Sequence, residues 1–264
     1  MVGVIGDPVD HSLSPVLHNA AFDALGMDWV YVAFPVRAGS GRAAVDAVRA
    51  MTIEGLSVTM PHKEDVARGV DRLSPTAERL GAVNTVVRRK GRLWGESTDG
   101  AGFLAALRLE GFEPSGQRCA VLGAGGAARA VVLALAEAGA EVAVVGRTPS
   151  RVEAAAQLGG RAGDWGDVSG AALVVNATPV GMTTGGMTTG GLPVEPALLG
   201  AGQVVVDLVY RPAVTELMTE ARARGAVAHN GLGMLIHQAA RQFELWTGSG
   251  APLAIMRAAV TEGD

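Results

Sequence analysis

The chain has 264 residues, of which 48% are hydrophobic, and a formal net charge of −4 at pH 7. This length allows two domains of ordinary size, and the apolar content favours packed cores over disorder. The acidic balance argues against a nucleic-acid partner, and the single cysteine, Cys119, excludes an internal disulfide. We find no secretory leader and no apolar run suited to a membrane span, so we expect a cytoplasmic protein.

The first hundred residues alternate strand-like and helix-like segments, which predicts a mixed α/β domain. The predicted strands are Val2–Gly6, Trp29–Phe34, Gly55–Thr59 and a hairpin of Val83–Arg89 with Arg92–Gly95. The predicted helices are Pro15–Leu25, Ala43–Met51, a helix with Pro61 in its first turn, and Gly100–Glu110.

From Cys119 onward the pattern is a regular alternation of apolar strands and helices, which favours a parallel sheet covered on both faces. The predicted strands are Cys119–Leu122, Glu141–Val145, Ala172–Asn176, Gln203–Leu208 and Ala226–His229. The predicted helices are Ala127–Ala138, Pro149–Leu158, Ala213–Arg224, Gly233–Trp246 and Pro252–Val260. The tandem repeat Gly181–Gly190 is too short to be a structural unit, and it predicts a flexible loop.

The motif Gly123-Ala124-Gly125-Gly126-Ala127-Ala128 lies between a predicted strand and a predicted helix. Free backbone N–H groups and the positive end of the helix dipole favour a pyrophosphate at such a point. Gly123 permits the turn, Gly125 lets the backbone approach the phosphates, and Ala128 permits close packing of helix on strand. A glycine-rich turn can also be no more than a turn, so its context must decide.

The end of the next predicted strand indicates which dinucleotide this site prefers. An NAD site places an acidic residue there, about 20 residues after the glycine turn. Here the segment is Val145-Gly146-Arg147-Thr148-Pro149-Ser150-Arg151, which contains no acid. Arg147 and Arg151 are suited to clamp a 2′-phosphate. The alternative is a pair of solvated arginines, although cations at a helix start oppose its dipole. NADP is therefore the preferred cofactor.

Lysine is rare in this chain, since only Lys63 and Lys90 accompany twenty arginines. Arginine cannot give up its proton in a protein, so a retained lysine can mark a site that needs a transferable proton. Lys90 lies in the predicted hairpin turn and is explained as a solvated charge. Lys63 and Asp99 can form a coupled acid/base pair, and an ordinary ion pair is the open alternative.

Two hydroxyls, Ser12 and Ser14, lie at the predicted start of the first helix. Such a pair can bind a carboxylate together with backbone N–H groups, but Ser14 could equally serve as a helix N-cap. We interpret His62, beside Lys63, as a solvated residue at a helix start. The remaining histidines show no metal-ligand spacing, so no metal is expected.

Seven motifs occur in order along essentially the whole chain. They are Gly6-Asp7-Pro8-Val9-Asp10-His11-Ser12-Leu13-Ser14-Pro15, Val58-Thr59-Met60-Pro61-His62-Lys63, Gly81-Ala82-Val83-Asn84-Thr85, Thr98-Asp99-Gly100, Gly123-Ala124-Gly125-Gly126-Ala127, Asn176-Ala177-Thr178-Pro179-Val180-Gly181-Met182 and Asn230-Gly231-Leu232-Gly233-Met234-Leu235. Together they resemble the shikimate dehydrogenase family. The resemblance implies an α/β fold of two domains. A mixed α/β substrate domain comprises residues 1–99 and 234–264, and a Rossmann-like NADP-binding domain comprises residues 100–233. Because the last predicted helices have no strand partner of their own, we expect them to pack back on the first domain, which would leave a cleft between the two domains.

The resemblance also implies an activity and a set of site residues. The implied activity is the NADPH-dependent, reversible reduction of 3-dehydroshikimate to shikimate in aromatic amino-acid and chorismate biosynthesis, with Lys63 and Asp99 as the catalytic pair. The implied substrate-binding residues are Ser12, Ser14, Thr59, Asn84, Asp99, Tyr210 and Gln238. The implied cofactor-binding residues are Gly123, Ala124, Gly125, Gly126, Ala127, Gly146, Arg147, Thr148, Arg151, Thr178, Gly231 and Met234.

Some positions depart from the family pattern. Ser57 and Ser97 stand where the family often has Asn, and Gly146 stands where Asn is usual before Arg-Thr. Shorter hydroxyls reach less far, which leaves the details of ring-hydroxyl recognition open. A quinate/shikimate or aminoshikimate dehydrogenase and a non-catalytic NADP-binding protein are the alternatives. A small-molecule substrate, no nucleic acid, no membrane, and a monomer or homodimer are expected.

Overall fold

A computed structural model describes residues 1–184 and 187–261 of the chain. It divides into two compact units, one of Met1–Gly102 with Ile236–Asp264 and one of Phe103–Leu235. The expected boundaries of the substrate-binding and NADP-binding domains, at residues 99 and 234, stay a prediction.

The first unit is built on a mixed six-stranded sheet. Its strands are β1 (Val2–Gly6), β2 (Tyr31–Pro35), β3 (Gly55–Val58), β4 (Arg72–Leu73), β5 (Thr85–Arg89) and β6 (Arg92–Glu96). They lie in the order β2-β1-β3-β5-β6-β4. Strands β1, β2 and β3 are parallel, whereas β5 is antiparallel to both β3 and β6. The predicted hairpin is confirmed, and Lys90 and Gly91 form its turn with φ of 50° and 76°.

Short helices connect these strands and carry polar residues to one edge of the sheet. The helices are α1 (Ser14–Ala24), α2 (Gly41–Ala50), α3 (Lys63–Ala67) and α4 (Pro75–Leu80). Helix α5 (Asp99–Leu109) follows β6, and from Phe103 onward it belongs to the second unit. Every residue of β1 and β3 is buried. The core under the sheet is formed by apolar side chains that include Ile5, Val45, Leu56 and Val86. The carboxyl ends of β1 and β3 are therefore the natural edge for a polar site.

The second unit contains a six-stranded parallel sheet in the order β14-β13-β10-β7-β8-β9. Its elements are β7 (Arg118–Leu122), α6 (Gly126–Glu137), β8 (Glu141–Val145), α7 (Pro149–Ala156), β9 (Arg161–Ala162), α8 (Gly166–Ser169), β10 (Leu173–Asn176), β13 (Val204–Asp207), α9 (Glu216–Ala223) and β14 (Val227–Asn230), with a separate ribbon of β11 (Thr183–Thr184) and β12 (Met187–Thr188) between β10 and β13. The helices alternate with buried, Val-rich strands, as expected for a Rossmann-like sheet.

Two helices, α10 (Leu232–Thr247) and α11 (Leu253–Thr261), end the described chain. From Ile236 onward they belong to the first unit, where α11 packs against α1. The indole nitrogen of Trp246 in α10 also donates to the carbonyl oxygen of Val86 in β5, at 2.9 Å. The prediction that the last helices pack back on the first domain is confirmed.

Three local predictions differ from the structure. Pro61 is not in a first helical turn, because the N–H of His62 donates to the oxygen of Thr59 (3.0 Å) in a preceding turn and α3 begins at Lys63. Helix α4 was not predicted. The repeat Gly181–Gly190, expected to be a loop, contains the antiparallel pair of β11 and β12, while Gly185 and Gly186 lie outside the described residues.

Candidate functional site

The first unit joins Lys63 and Asp99 directly. Lys63 is the first residue of α3 and Asp99 is the first residue of α5, so the connecting segments bring two helix starts together. The Lys63 Nζ donates to Asp99 Oδ2 at 2.6 Å, and Asn84 Nδ2 donates to Asp99 Oδ1 at 2.7 Å. The Lys63 and Asp99 side chains retain 19% and 11% exposure. Both carboxylate oxygens are held by protein donors, while the ammonium group keeps some access from outside.

Asn84 is oriented by contacts with Thr85 and Thr98, two residues to which no role is assigned from the sequence. Its Oδ1 accepts from the backbone N–H of Thr98 and from the hydroxyl of Thr85, each at 2.8 Å. An oxygen held in this way leaves the amide nitrogen facing Asp99. The nitrogen also lies 3.4 Å from Gln238 Oε1, a long contact. Thr85 and Thr98 lie inside two of the ordered motifs. Their positions next to Asn84 and Asp99 in the sequence are the signal from which their contacts could have been predicted.

Ser12, Ser14 and Thr59 follow the carboxyl ends of β1 and β3. Ser12 Oγ accepts from the Ser14 backbone N–H at 3.3 Å. The N-cap residue of α1 is Leu13, and no side chain caps this helix, so the N-cap role considered for Ser14 is wrong. Thr59 is fixed through its backbone, because its N–H donates to the oxygen of Ile5 at 3.0 Å.

Two polar residues of this unit are more deeply buried than expected. His62 is fully buried, and its Nε2 lies 2.7 Å from the carbonyl oxygen of Val36, so the interpretation as a solvated residue is wrong. Ser57 is also buried, and its hydroxyl accepts from the Tyr31 phenol and donates to Gln242 Oε1, each at 2.7 Å. The Ser57 hydroxyl is thus engaged by two partners inside the protein.

The glycine turn of the second unit has the geometry that its motif requires. Gly123 has φ +110°, and a Cβ there would lie 3.1 Å from the carbonyl oxygen of Ala177. Gly125 is the N-cap residue of α6 and provides no side-chain cap. A Cβ on Gly125 would meet no described atom within 4 Å. The space before the helix and its N–H groups therefore fit the pyrophosphate of a dinucleotide.

The arginine pair lies at the end of β8 and in the first turn of α7. Arg147 and Arg151 are both exposed. Within residues 1–184 and 187–261, neither guanidinium group has a recorded hydrogen-bond or ion-pair partner. Thr148 is the N-cap residue of α7, but its side chain makes no capping bond. Two unpaired cations beside an uncapped helix start fit a phosphate group better than an ordinary surface ion pair.

A buried network positions Thr178 at the end of β10. Asn176 Oδ1 accepts from the N–H and the hydroxyl of Thr178, at 3.0 and 2.7 Å. Asn176 Nδ2 donates to Asp207 Oδ1 at 2.9 Å, and Thr215 donates to Asp207 Oδ2 at 2.6 Å. Burial raises the pKa of Asp207, and these donors oppose the rise. Burial likewise raises the pKa of Tyr210, which follows β13.

Gly231 needs to be glycine because of backbone packing. A Cβ at Gly231 would lie 2.1 Å from the carbonyl oxygen of Leu208, and the N–H of Gly231 donates to Val209. Met234, at the start of α10, is half-buried in the second unit. No group of three His, Cys, Asp or Glu side chains suited to a metal occurs in the described part of the chain. None of the helices described has the length and apolar character needed to cross a membrane.

The fold and site define a two-unit α/β protein with a Rossmann-type nucleotide-binding unit. Family models match residues 4–86 (shikimate dehydrogenase substrate binding domain), 111–181 (putative NAD(P)-binding) and 231–261 (shikimate 5′-dehydrogenase C-terminal domain). The chain is 45% identical to shikimate dehydrogenase (NADP(+)) of Moorella thermoacetica, over 97% of this chain and 90% of that protein. The chain belongs to the shikimate dehydrogenase family.

Solved structures agree with this assignment. Shikimate 5-dehydrogenase from Thermus thermophilus, in complex with NADP(H) and shikimate, matches with a TM-score of 0.91 and 41% identity, covering 98% of this chain and 97% of that one. Quinate dehydrogenase from Corynebacterium glutamicum, in complex with NAD, matches with a TM-score of 0.87 and 34% identity, covering 98% and 97%.

Proposed function

We propose that this protein is an NADP-dependent oxidoreductase that catalyses the reversible reduction of 3-dehydroshikimate to shikimate. The observation that carries the proposal is the Lys63–Asp99 pair, 2.6 Å apart and fixed by Asn84, in a chain that belongs to the shikimate dehydrogenase family. Most surface ion pairs form between long, exposed side chains and contribute little to stability. Here one oxygen of a mostly buried carboxylate accepts from the ammonium group, and the other oxygen is fixed by the Asn84 amide.

The Lys63–Asp99 pair handles the proton of the reaction. NADP(H), when bound, supplies or accepts the hydride at the carbon that bears the reacting oxygen. In the oxidation direction, the substrate hydroxyl loses its proton to the pair, and the proton then passes to solvent. In the reduction direction, the pair returns a proton to the carbonyl oxygen. Asp99 orients the Lys63 ammonium through the 2.6 Å hydrogen bond between them.

Polar side chains of the first unit bind the rest of the substrate in this proposal. Ser12 and Ser14 bind its carboxylate through their hydroxyls, because Ser14 is not used to cap α1. Thr59, Asn84 and Gln238 bind the ring hydroxyls. A polyhydroxylated acid is the substrate class that hydroxyl and amide donors of this kind match.

The cofactor preference follows from Arg147 and Arg151. Their unpaired guanidinium groups bind the 2′-phosphate of NADP, with Gly146 and Thr148 beside them. Gly123 to Ala127 take the pyrophosphate, and Thr178, Gly231 and Met234 lie toward the nicotinamide end. The absence of an acid at the end of β8 disfavours the runner-up, an NAD-linked quinate dehydrogenase. A non-catalytic NADP-binding protein would not require the Lys63–Asp99 geometry.

The chain contains its own control for a test of Lys63. Lys63→Arg keeps the positive charge but cannot release a proton, whereas Lys90→Arg makes the same change in a hairpin turn. With shikimate and NADP⁺, followed by NADPH absorbance, Lys63→Arg should lower kcat by about 10²–10⁴-fold. Lys90→Arg should match the wild type. Wild-type turnover by Lys63→Arg would refute the proton role, and a wild type inactive on shikimate would refute the substrate.

A further inference from the structure

A continuous chain of buried hydrogen bonds leads from Asp99 into the interior of the first unit. Its members are consecutive donors and acceptors that come from four different elements or their flanking segments. In order from the Asp99 carboxylate they are Asn84, Thr85, Gln242, Ser57 and Tyr31. All five are buried. Nothing in the proposed function assigns a role to Gln242, which joins the two ends of this chain.

The direction of the hydrogen bonds is fixed by groups that can only donate or only accept. Gln242 Nε2 lies 3.3 Å from the backbone oxygen of Asn84, an acceptor, which identifies the nitrogen end of the amide. The same nitrogen donates to Thr85 Oγ1 at 2.9 Å. Gln242 Oε1 can only accept, so Ser57 donates to it, and the Tyr31 phenol in turn donates to Ser57.

These hydrogen bonds fix the orientation of the Thr85 hydroxyl. Because Thr85 Oγ1 already accepts from Gln242, its proton is directed to Asn84 Oδ1, 2.8 Å away. With Oδ1 held by Thr85 and by the Thr98 N–H, the Asn84 amide nitrogen faces Asp99 at 2.7 Å. A buried hydroxyl that lost its donor from Gln242 could rotate, and Asn84 would lose one of the groups that hold its orientation, leaving the N–H and the hydroxyl of Thr98 as its remaining partners there.

We propose that Gln242 is a positioning residue for the Lys63–Asp99 pair, acting through the Thr85 hydroxyl and the Asn84 amide; this inference rests on the proposed function. Gln242 lies one helical turn after Gln238 in α10, on the same face and deeper in the interior. Ser57 and Tyr31 hold the far end of its amide. Burial raises the pKa of the Tyr31 phenol, so this group stays a hydrogen-bond donor across the working pH range.

Two substitutions at Gln242 separate orientation from packing. Gln242→Met has a similar volume and can neither donate to Thr85 nor accept from Ser57. Gln242→Glu is nearly isosteric, and its capacity to donate a hydrogen bond depends on pH. As a neutral acid it can donate to Thr85 as the amide does, but as a carboxylate it only accepts and draws the Thr85 hydroxyl away from Asn84. Burial favours the neutral form at low pH.

Gln203 provides a matched control in the second unit. It is also a buried glutamine with both ends bonded: its Nε2 donates to the oxygen of Val168 at 2.8 Å, and its Oε1 accepts from the N–H of Gly200 at 2.8 Å. Gln203→Met should lower thermal stability as Gln242→Met does, with no change in kcat. A merely structural glutamine would behave in this way at both positions.

Gln242→Met should lower kcat about ten-fold, the rate equivalent of one buried hydrogen bond, with the KM for NADP⁺ unchanged. Gln242→Glu should approach the wild type at low pH and fall about ten-fold below it as pH rises. Thr85→Val should reproduce the loss and Thr85→Ser should restore activity, which keeps the test decisive if Gln242→Met does not fold. Wild-type kcat in Gln242→Met and a pH profile of Gln242→Glu that parallels the wild type would overturn the inference.

A second readout does not depend on turnover. In ¹⁵N-labelled protein without substrate, the side-chain amide resonances of Asn84, assigned by their loss in Asn84→Ala, should shift in Gln242→Met and stay in place in Gln203→Met. Unmoved Asn84 resonances in Gln242→Met would overturn the positioning role. If the wild type does not oxidise shikimate, the proposed function fails, and the Asn84 resonances still decide whether Gln242 orients this amide.

Discussion

His18 makes the stability of the first unit depend on pH. Its ring is fully buried and stacks on Tyr31, with ring centroids 4.4 Å apart and planes 9° apart. Trp246 and Phe22 also pack against it. Neither ring nitrogen has a hydrogen-bond partner among the described residues. Burial lowers the pKa of His18 from 6.5 to about 3, although the neighbouring Gln242 side chain acts in the opposite direction.

The sign of the effect follows from proton linkage. Below pH 6.5 the unfolded chain binds a proton at His18 and the folded chain does not, so stability falls as pH falls, until the folded state also protonates near pH 3. Each pH unit below 6.5 lowers the free energy of unfolding by about 1.4 kcal/mol. At about pH 4.5 the protein should therefore be less stable than at neutral pH by about 2.7 kcal/mol. The substitution His18→Phe removes this pH dependence. Between neutral pH and about pH 4.5, its free energy of unfolding should therefore rise relative to that of the wild type by about 2.7 kcal/mol.

Urea unfolding of both proteins from about pH 4.5 to about pH 7.5 measures the difference, since carboxylates elsewhere titrate alike in the two. His229→Phe is the control, because that ring is 25% exposed and lies 3.3 Å from a carboxylate oxygen of Glu110. A stability difference between His18→Phe and the wild type that did not change with pH would refute the reasoning.

Two further predictions concern the nucleotide site. Substituting Gln for both Arg147 and Arg151 should raise the KM for NADP⁺ at least ten-fold and leave the KM for NAD⁺ little changed. The reason is that each charge-assisted hydrogen bond to the 2′-phosphate contributes about 1.5–3 kcal/mol. Equal increases in KM for both cofactors would contradict the 2′-phosphate role. Gly123→Ala should cost about 1–3 kcal/mol because of its φ of +110°, and calorimetry should show a Tm lower by several degrees. Gly125→Ala, which meets no described atom, should keep the wild-type Tm while weakening NADP⁺ binding, and equal Tm losses in the two variants would refute this.

Secondary structure could be predicted from the sequence where the hydrophobic pattern is strong and local. The strands Val2–Gly6 and Glu141–Val145 have the predicted bounds, because a short apolar run rich in Val is typical of a strand in a covered parallel sheet. Helix α4 could also have been found. Ser74 accepts from the N–H of Ala77, Pro75 follows it, and Gly81 ends the helix with φ 59°, the same start and stop residues that were recognised elsewhere.

The environments of single side chains could not be predicted, because their partners are distant along the chain. His62 looks solvated beside Lys63 and other polar residues, yet its burial depends on the carbonyl oxygen of Val36, 26 residues earlier. Gln242 meets Thr85 across 157 residues. Local periodicity carries no information on such contacts, whereas the Lys63–Asp99 pair was suggested by residue types and by the resemblance.

The buried polar side chains of the first unit hold one another in place through hydrogen bonds that lead to Asp99. Burying an amide or hydroxyl without a partner costs about 1–3 kcal/mol in proteins, so the hydrogen bonds among Asn84, Thr85, Gln242 and Ser57 offset the cost of burying them. Each of them uses its donors and acceptors on a neighbour in the chain that ends at Asp99. A change at any one of them leaves an unpaired group at the next. The free energy that folds this unit thus also holds the Asp99 carboxylate in place, which is the preorganisation that the proposed proton transfer at Lys63 requires.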